Sequence, residues 1–154
     1  DVDRDVLKIA VVDRYRDARP AVALITNFGL KRGALATSVS HDSHNIVAVG
    51  ASDEELARAV NAVIEARGGL AVAGPDGAVV VPLAIAGLMS DADGYEVATE
   101  YTRLDRMAKS LGSKLTAPFM TLSFMALLVI PSLKLGPEGL FDVTAFRPMS
   151  LWVP

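Results

Sequence analysis

The apolar residues of this chain arrive in short blocks, each stopped by charge, glycine or proline, and that pattern limits the fold more than any other feature. Leu7-Lys8-Ile9-Ala10-Val11-Val12 ends at Asp13-Arg14-Tyr15-Arg16. A fully apolar block at 21–26 runs into the glycine-bracketed stretch Asn27-Phe28-Gly29-Leu30-Lys31-Arg32-Gly33. Blocks at 34–39 and 46–49 flank a polar turn. Blocks at 70–73 and 78–81 flank Gly74-Pro75-Asp76-Gly77, where Pro75 is preset for the second position of a tight turn, so this pair reads as a hairpin. Shorter extended segments are expected at 133–135, 140–143 and 149–153.

Two segments break the strand pattern. Ser52-Asp53-Glu54-Glu55 is a capping box, in which Ser52 takes the free amide three residues on and Glu55 reaches back. Leu56, Ala59, Val60, Val63 and Ile64 then repeat at three and four, giving one apolar helix face that stops at Gly68-Gly69. A second helix is expected after Ser90-Asp91-Ala92-Asp93, burying Val97, Tyr101, Leu104, Ala108 and Leu111 and ending at Gly112. Residues 116–128 fit a buried strand or a short buried helix, and periodicity does not separate the two. Short strands interrupted by two main helices predict an α/β or α+β class with a mixed sheet. Regular strand–helix alternation is missing, so neither a barrel nor a doubly wound sheet is expected. The 154 residues are expected to form one domain, 1–154.

Composition removes several chemistries. There is no cysteine, which excludes disulfides, thiolate nucleophiles and cysteine-built zinc sites. The net charge of -3 comes without a basic stripe and argues against a nucleic-acid partner. The apolar run at 119–130 contains Thr121 and Ser123 and is too short to span a bilayer, so no membrane partner is expected. A cytoplasmic location fits. Mean hydropathy is +0.36, a value that points to apolar surface meeting a partner as readily as to a small alanine-rich core. The first residue is Asp1 rather than Met, which is read as the mark of a piece of something longer.

Both histidines lie in His41-Asp42-Ser43-His44-Asn45. All five side chains donate, accept or bind metal at neutral pH. Two imidazoles and a carboxylate on a turn between two apolar blocks suit acid–base work, metal binding or hydrogen bonding to a polar heterocycle. The alternative is a sharp turn held by Asp42 and Asn45. With no other His or Cys to complete a site, no metal is expected to bind in this chain. Phe28, Lys31 and Arg32 are secondary candidates, on a glycine loop able to bring backbone close to a ligand but lacking a Gly-Lys-Ser/Thr ending.

Four stretches together resemble one family. They are Phe28-Gly29-Leu30-Lys31-Arg32-Gly33-Ala34; His41-Asp42-Ser43-His44-Asn45-Ile46 with Gly50; Leu83-Ala84-Ile85-Ala86-Gly87-Leu88-Met89-Ser90; and Pro118-Phe119-Met120-Thr121-Leu122-Ser123-Phe124, followed by Val129-Ile130-Pro131-Ser132-Leu133-Lys134-Leu135 and Gly139-Leu140-Phe141-Asp142-Val143. In that order they resemble the C-terminal domain of adenine deaminases, members of the amidohydrolase superfamily. The sequence departs from the family at Asp13-Arg14-Tyr15, where Glu-Arg-His is usual, at Asn27 in place of Gly and at Leu128 in place of Pro.

The resemblance implies a hydrolase acting on a cyclic amidine C–N bond, turning adenine and water into hypoxanthine and ammonia in purine salvage or adenine catabolism. It implies a preceding (β/α)₈ barrel, absent from this chain, that holds a divalent metal (manganese, iron or zinc). It implies that this segment covers or completes the barrel's site, with His41, Asp42, Ser43, His44 and Asn45 meeting the purine, and that it is inactive alone. The barrel, a small-molecule purine and further copies in a homo-oligomer are the expected partners. A purely structural or oligomerisation domain, or a stand-alone purine-binding module without catalysis, are the alternatives.

Overall fold

The computed structural model describes residues 1–152. Six strands form one open antiparallel sheet: β1 (Leu7–Val12), β2 (Ala21–Ile25), β3 (Ala34–Thr37), β4 (Ile46–Gly50), β5 (Gly69–Gly74) and β6 (Gly77–Pro82). Their order is β2-β1-β4-β3-β5-β6. Helix α1 (Asp53–Glu65) lies on one face over β3, β4, β5 and β6. Helices α2 (Gly94–Ser110) and α3 (Pro118–Phe124) cover the other face. A small three-stranded antiparallel sheet of β7 (Leu133–Gly136), β8 (Gly139–Asp142) and β9 (Arg147–Pro148) packs beside β2. The arrangement is α+β with no closed barrel among the described residues.

Strand alternation sorts the apolar side chains by size. Leu7, Ile9 and Val11, Leu35, Val47 and Val49, and Val72 point to one core with Leu104, Phe119 and Leu122. The residues between them, Ala10, Ala34, Ala36, Ala48, Ala71 and Ala73, face α1 through Leu56, Ala59, Val60 and Val63. Small side chains let the helix settle close to the sheet, while the larger ones fill the wider space under α2 and α3.

The capping box is present in a variant form. Ser52 Oγ accepts from the Glu55 amide at 3.2 Å and donates to the Glu55 carboxylate at 3.0 Å. The helix ends earlier than Gly68-Gly69. Arg67 takes the left-handed position with φ 59°, and the Gly68 amide bonds the Val63 carbonyl at 2.8 Å.

Three expectations need correction. Ile64 is 49% exposed, because α1 does not extend over β1 and β2 and its flank there stays open. The block at 21–26 is an edge strand. Ala23 is buried, while Val22 and Leu24 are exposed on the face that α1 leaves uncovered. The extended segment expected at 149–153 falls earlier, as the short pairing of Phe141 with Pro148 and Asp142 with Arg147; Val153 lies outside the described residues. The ambiguous stretch at 116–128 is helical, with Pro118 at its first position and Phe119 and Leu122 in the core.

Candidate functional site

Strand register gathers the candidate residues at one end of the six-stranded sheet. Val12 pairs with Ile46, Thr37 pairs with Val47 and Leu70, and Gly69 pairs with Pro82. The segments that leave or enter the strands at that edge therefore meet. They are the turn after β1, the 38–45 connection, the end of α1 and the residues after β6.

The 41–45 stretch is a tight turn. The His44 amide bonds the Ser40 carbonyl at 2.7 Å, and His44 has φ 51°. The His41 amide bonds the Ser123 carbonyl at 3.2 Å, and its ring packs on Phe124 with centroids 4.8 Å apart. The end of α3 thus fixes where His41 sits. Asp42 and Ser43 are exposed at the tip. Asn45 is buried, and its side-chain oxygen accepts the Arg14 amide at 3.0 Å.

Arg14, one of the charged residues that end the first apolar block, joins this turn. Its guanidinium donates to the His44 carbonyl at 3.1 Å and to the Ala86 carbonyl at 3.0 Å. The turn that carries it is held by the Asp13 carboxylate, which accepts the Tyr15 amide at 2.8 Å and the Arg16 Nε at 2.8 Å. The Tyr15 amide above all, with Arg16 adding to it, keeps the Asp13 carboxyl below the usual carboxylate range. Arg16 also reaches Glu138 at 2.7 Å, tying this turn to the small sheet.

Residues 85–89 form a miniature hairpin. Ile85 and Met89 exchange backbone bonds of 2.9 and 3.1 Å across a turn in which Ala86 and Gly87 have φ of 58° and 73°. Buried Ser38 anchors it, with Oγ donating to the Gly87 carbonyl at 2.5 Å and accepting the Gly69 amide at 2.8 Å. Ile85 and Met89 are exposed at the tip.

Two polar atoms at this end are buried without a hydrogen-bond partner among the described residues, His44 Nδ1 and Ser40 Oγ. An unpaired buried imidazole nitrogen is costly, and a group that donates to it or accepts from it recovers that cost.

The secondary candidates lie elsewhere. The 28–33 loop enters β3 at its other end, where Ala34 pairs with Gly50 and Ala73. Phe28 is 2% exposed and belongs to the core. Lys31 Nζ donates to the Val2 carbonyl at 2.7 Å, and Arg32 is exposed. The structure therefore separates Phe28, Lys31 and Arg32 from the 41–45 turn by the length of β3. Arg14, Ser38, Ser40 and Gly87 join that turn instead. The signal in the sequence was the Leu83-to-Ser90 stretch, whose two-residue reversal needs left-handed backbone at Ala86-Gly87.

The donor set does not fit a metal. No group of three His, Asp or Glu side chains able to hold an ion occurs among the described residues. No helix among them is long and apolar enough to cross a membrane.

A family model described as the adenine deaminase C-terminal domain matches residues 1–147. The chain is similar to adenine deaminases of Methanosarcina barkeri (53% identity, 99% of this chain, 28% of that protein), Sulfurovum (60%, 94% and 27%) and Salinibacter ruber (62%, 96% and 27%). It spans little more than a quarter of the length of these curated relatives.

Proposed function

From the premise that the chain belongs to the adenine deaminase C-terminal domain family, we propose that it is the C-terminal part of an enzyme converting adenine and water to hypoxanthine and ammonia. In this reading residues 1–154 act as one domain, laid against a metal-bearing amidohydrolase barrel earlier in the same polypeptide. The 41–45 turn meets the purine there. Manganese, iron or zinc belongs to the barrel, because this chain's described residues gather no set able to hold it. The whole protein works in adenine catabolism or purine salvage in the cytoplasm, as a homo-oligomer.

The observation that carries the reading is the buried, unpaired Nδ1 of His44 on a turn whose other polar groups are engaged or solvated. Replacing the C6 amine needs a proton for the ring nitrogen and one for the departing ammonia, and an imidazole can both donate and accept at the ring edge. His41, tilted at 40° against Phe124, presents a flat ring with a polar rim, which matches a purine face. Asp42 and Ser43 are free to accept or donate at the tip. Asn45 serves the turn rather than the ligand, since its side-chain oxygen already holds the Arg14 amide.

The test uses the whole protein that carries this segment. His41→Ala, Asp42→Ala and His44→Ala are each expected to lower kcat/KM by about one to several powers of ten, each power being about 1.4 kcal/mol, with metal content unchanged. Near-normal kcat/KM in all three, together with lowered melting, makes the turn structural and the assignment wrong. The segment alone is expected to release no ammonia from adenine with added metal.

A further inference from the structure

We propose that Arg14 is a positioning residue that joins the 41–45 turn to the 85–89 hairpin, so that both present one rigid surface to the substrate side of the enzyme. The inference rests on the site reading above and adds a second element to it.

The geometry is specific. One guanidinium spans two carbonyls on segments far apart in sequence, His44 at 3.1 Å and Ala86 at 3.0 Å. The planar fork of arginine suits such a span, whereas a lysine ammonium is a single point of charge on a flexible stem. The same residue's amide is taken by Asn45 Oδ1, so Arg14 holds the turn through main chain and side chain together. Both carbonyls it binds come from residues with left-handed backbone, His44 at φ 51° and Ala86 at φ 58°. Neither conformation is favoured for a residue with a Cβ, so external hydrogen bonds are what such a pair of reversals calls for.

The hairpin has been shaped around the guanidinium. A Cβ at Gly87 would lie 2.6 Å from an Arg14 terminal nitrogen, and a Cβ at the nearby Gly68 would lie 2.3 Å from the Gly87 Cα. Arginine, hairpin and helix end are thus packed without room for a methyl group. Ser38 secures the hairpin from the strand side through the Gly87 carbonyl. Ile85 and Met89, exposed at the hairpin tip, give this surface an apolar part beside the polar 41–45 turn. A purine offers the complementary pair of features, flat apolar faces and a polar edge.

The experiment compares Arg14→Met, Arg14→Lys, Gly87→Ala and His44→Ala in the whole protein. Hydrogen exchange is read by mass spectrometry, with melting, metal content and adenine kinetics on the same preparations. Arg14→Met keeps the main-chain bond to Asn45 and removes the fork. It is expected to quicken exchange about tenfold in peptides covering both 41–46 and 83–89, while α1 is unchanged. Its kcat/KM is expected to fall about tenfold, with part recovered in Arg14→Lys. Gly87→Ala crowds the guanidinium from the opposite side and is expected to give the same exchange pattern, which keeps the test decisive if Arg14→Met folds poorly.

Unchanged exchange, or quickening in only one of the two segments, overturns the proposal. So does normal turnover in Arg14→Met when His44→Ala loses turnover. Normal turnover in His44→Ala sinks the site reading instead, and the exchange data still decide whether Arg14 joins the two segments.

Discussion

The two ends of the six-stranded sheet are built from similar parts and finish differently. Each has a loop with positive-φ residues, each is braced by a second loop, and each lies at the mouth of β3. At the 28–33 end three bracing bonds are donated by main-chain amides of the loop. The Lys31 amide bonds the Leu111 carbonyl at 2.9 Å, and the Asp5 carboxylate takes the Asn27 and Gly29 amides at 2.7 and 2.8 Å. Phe28 plugs the core beneath. At the 41–45 end the bracing runs through side chains, Arg14, Ser38 and Asn45. Among the described residues, the one buried polar side-chain atom left unpaired near the first end is the Ser113 hydroxyl, while the second end leaves Ser40 Oγ and His44 Nδ1. A hydroxyl is a small loss, but a buried imidazole nitrogen is a group with chemistry to offer. The first end reads as architecture, and the second is where the proposed site lies.

Phe28→Ala attacks the architectural end and carries the largest expected effect on stability. Emptying that buried position costs about 3–5 kcal/mol. Thermal or denaturant unfolding of the whole protein checks it, and the surviving folded fraction should keep normal kcat/KM. A specific loss of turnover there would make the two ends alike.

Gly112→Ala sharpens the contrast at a smaller scale. A Cβ there would meet the Gly29 carbonyl oxygen at 2.6 Å and the Lys31 amide at 2.9 Å, and Gly112 has φ 119°. Backbone atoms do not give way as a flexible side chain does, so about 1–3 kcal/mol of stability is expected to go. Gly87→Ala, against the Arg14 side chain, is expected to cost less stability and more turnover. The two alanine variants measured side by side decide whether crowding each end is felt in folding or in catalysis.

The smallest effect concerns pH. Asp13, whose folded pKa lies below its unfolded value, contributes stability that is present above the unfolded carboxylate pKa of about 3.9 and is lost as pH falls through the folded value. Melting curves of the wild type and Asp13→Asn are therefore expected to differ most near neutrality and to converge below about pH 4. A constant offset down to strongly acid pH contradicts the assigned role of Asp13 in holding the Arg14 turn.

Much of this frame was legible in the sequence because it is local. The capping box at Ser52, the Leu56–Val63 spacing and the Gly74–Gly77 turn need only near neighbours to act, and they appear where expected. The short apolar blocks also disclosed β1, β3, β4 and β5. What stayed hidden depends on strand order. Nothing local says that α1 covers β3 to β6 and leaves Ile64, Val22 and Leu24 open. Likewise His41 to Asn45 stood out by composition, but Arg14 bonds His44 across 30 positions and Ser123 bonds His41 across 82, and the nearness of Arg14 follows from pairing β1 with β4. Phe28 illustrates the converse. Its glycine-flanked setting looked like a ligand loop, and burial turned it into core.

The most direct test of the difference between the two ends is hydrogen exchange of the whole protein with and without saturating hypoxanthine. The account predicts slower exchange in peptides covering 38–46 and 83–89, with no change at 27–33. Protection confined to 27–33, or absent from both ends while the purine is bound, would contradict it.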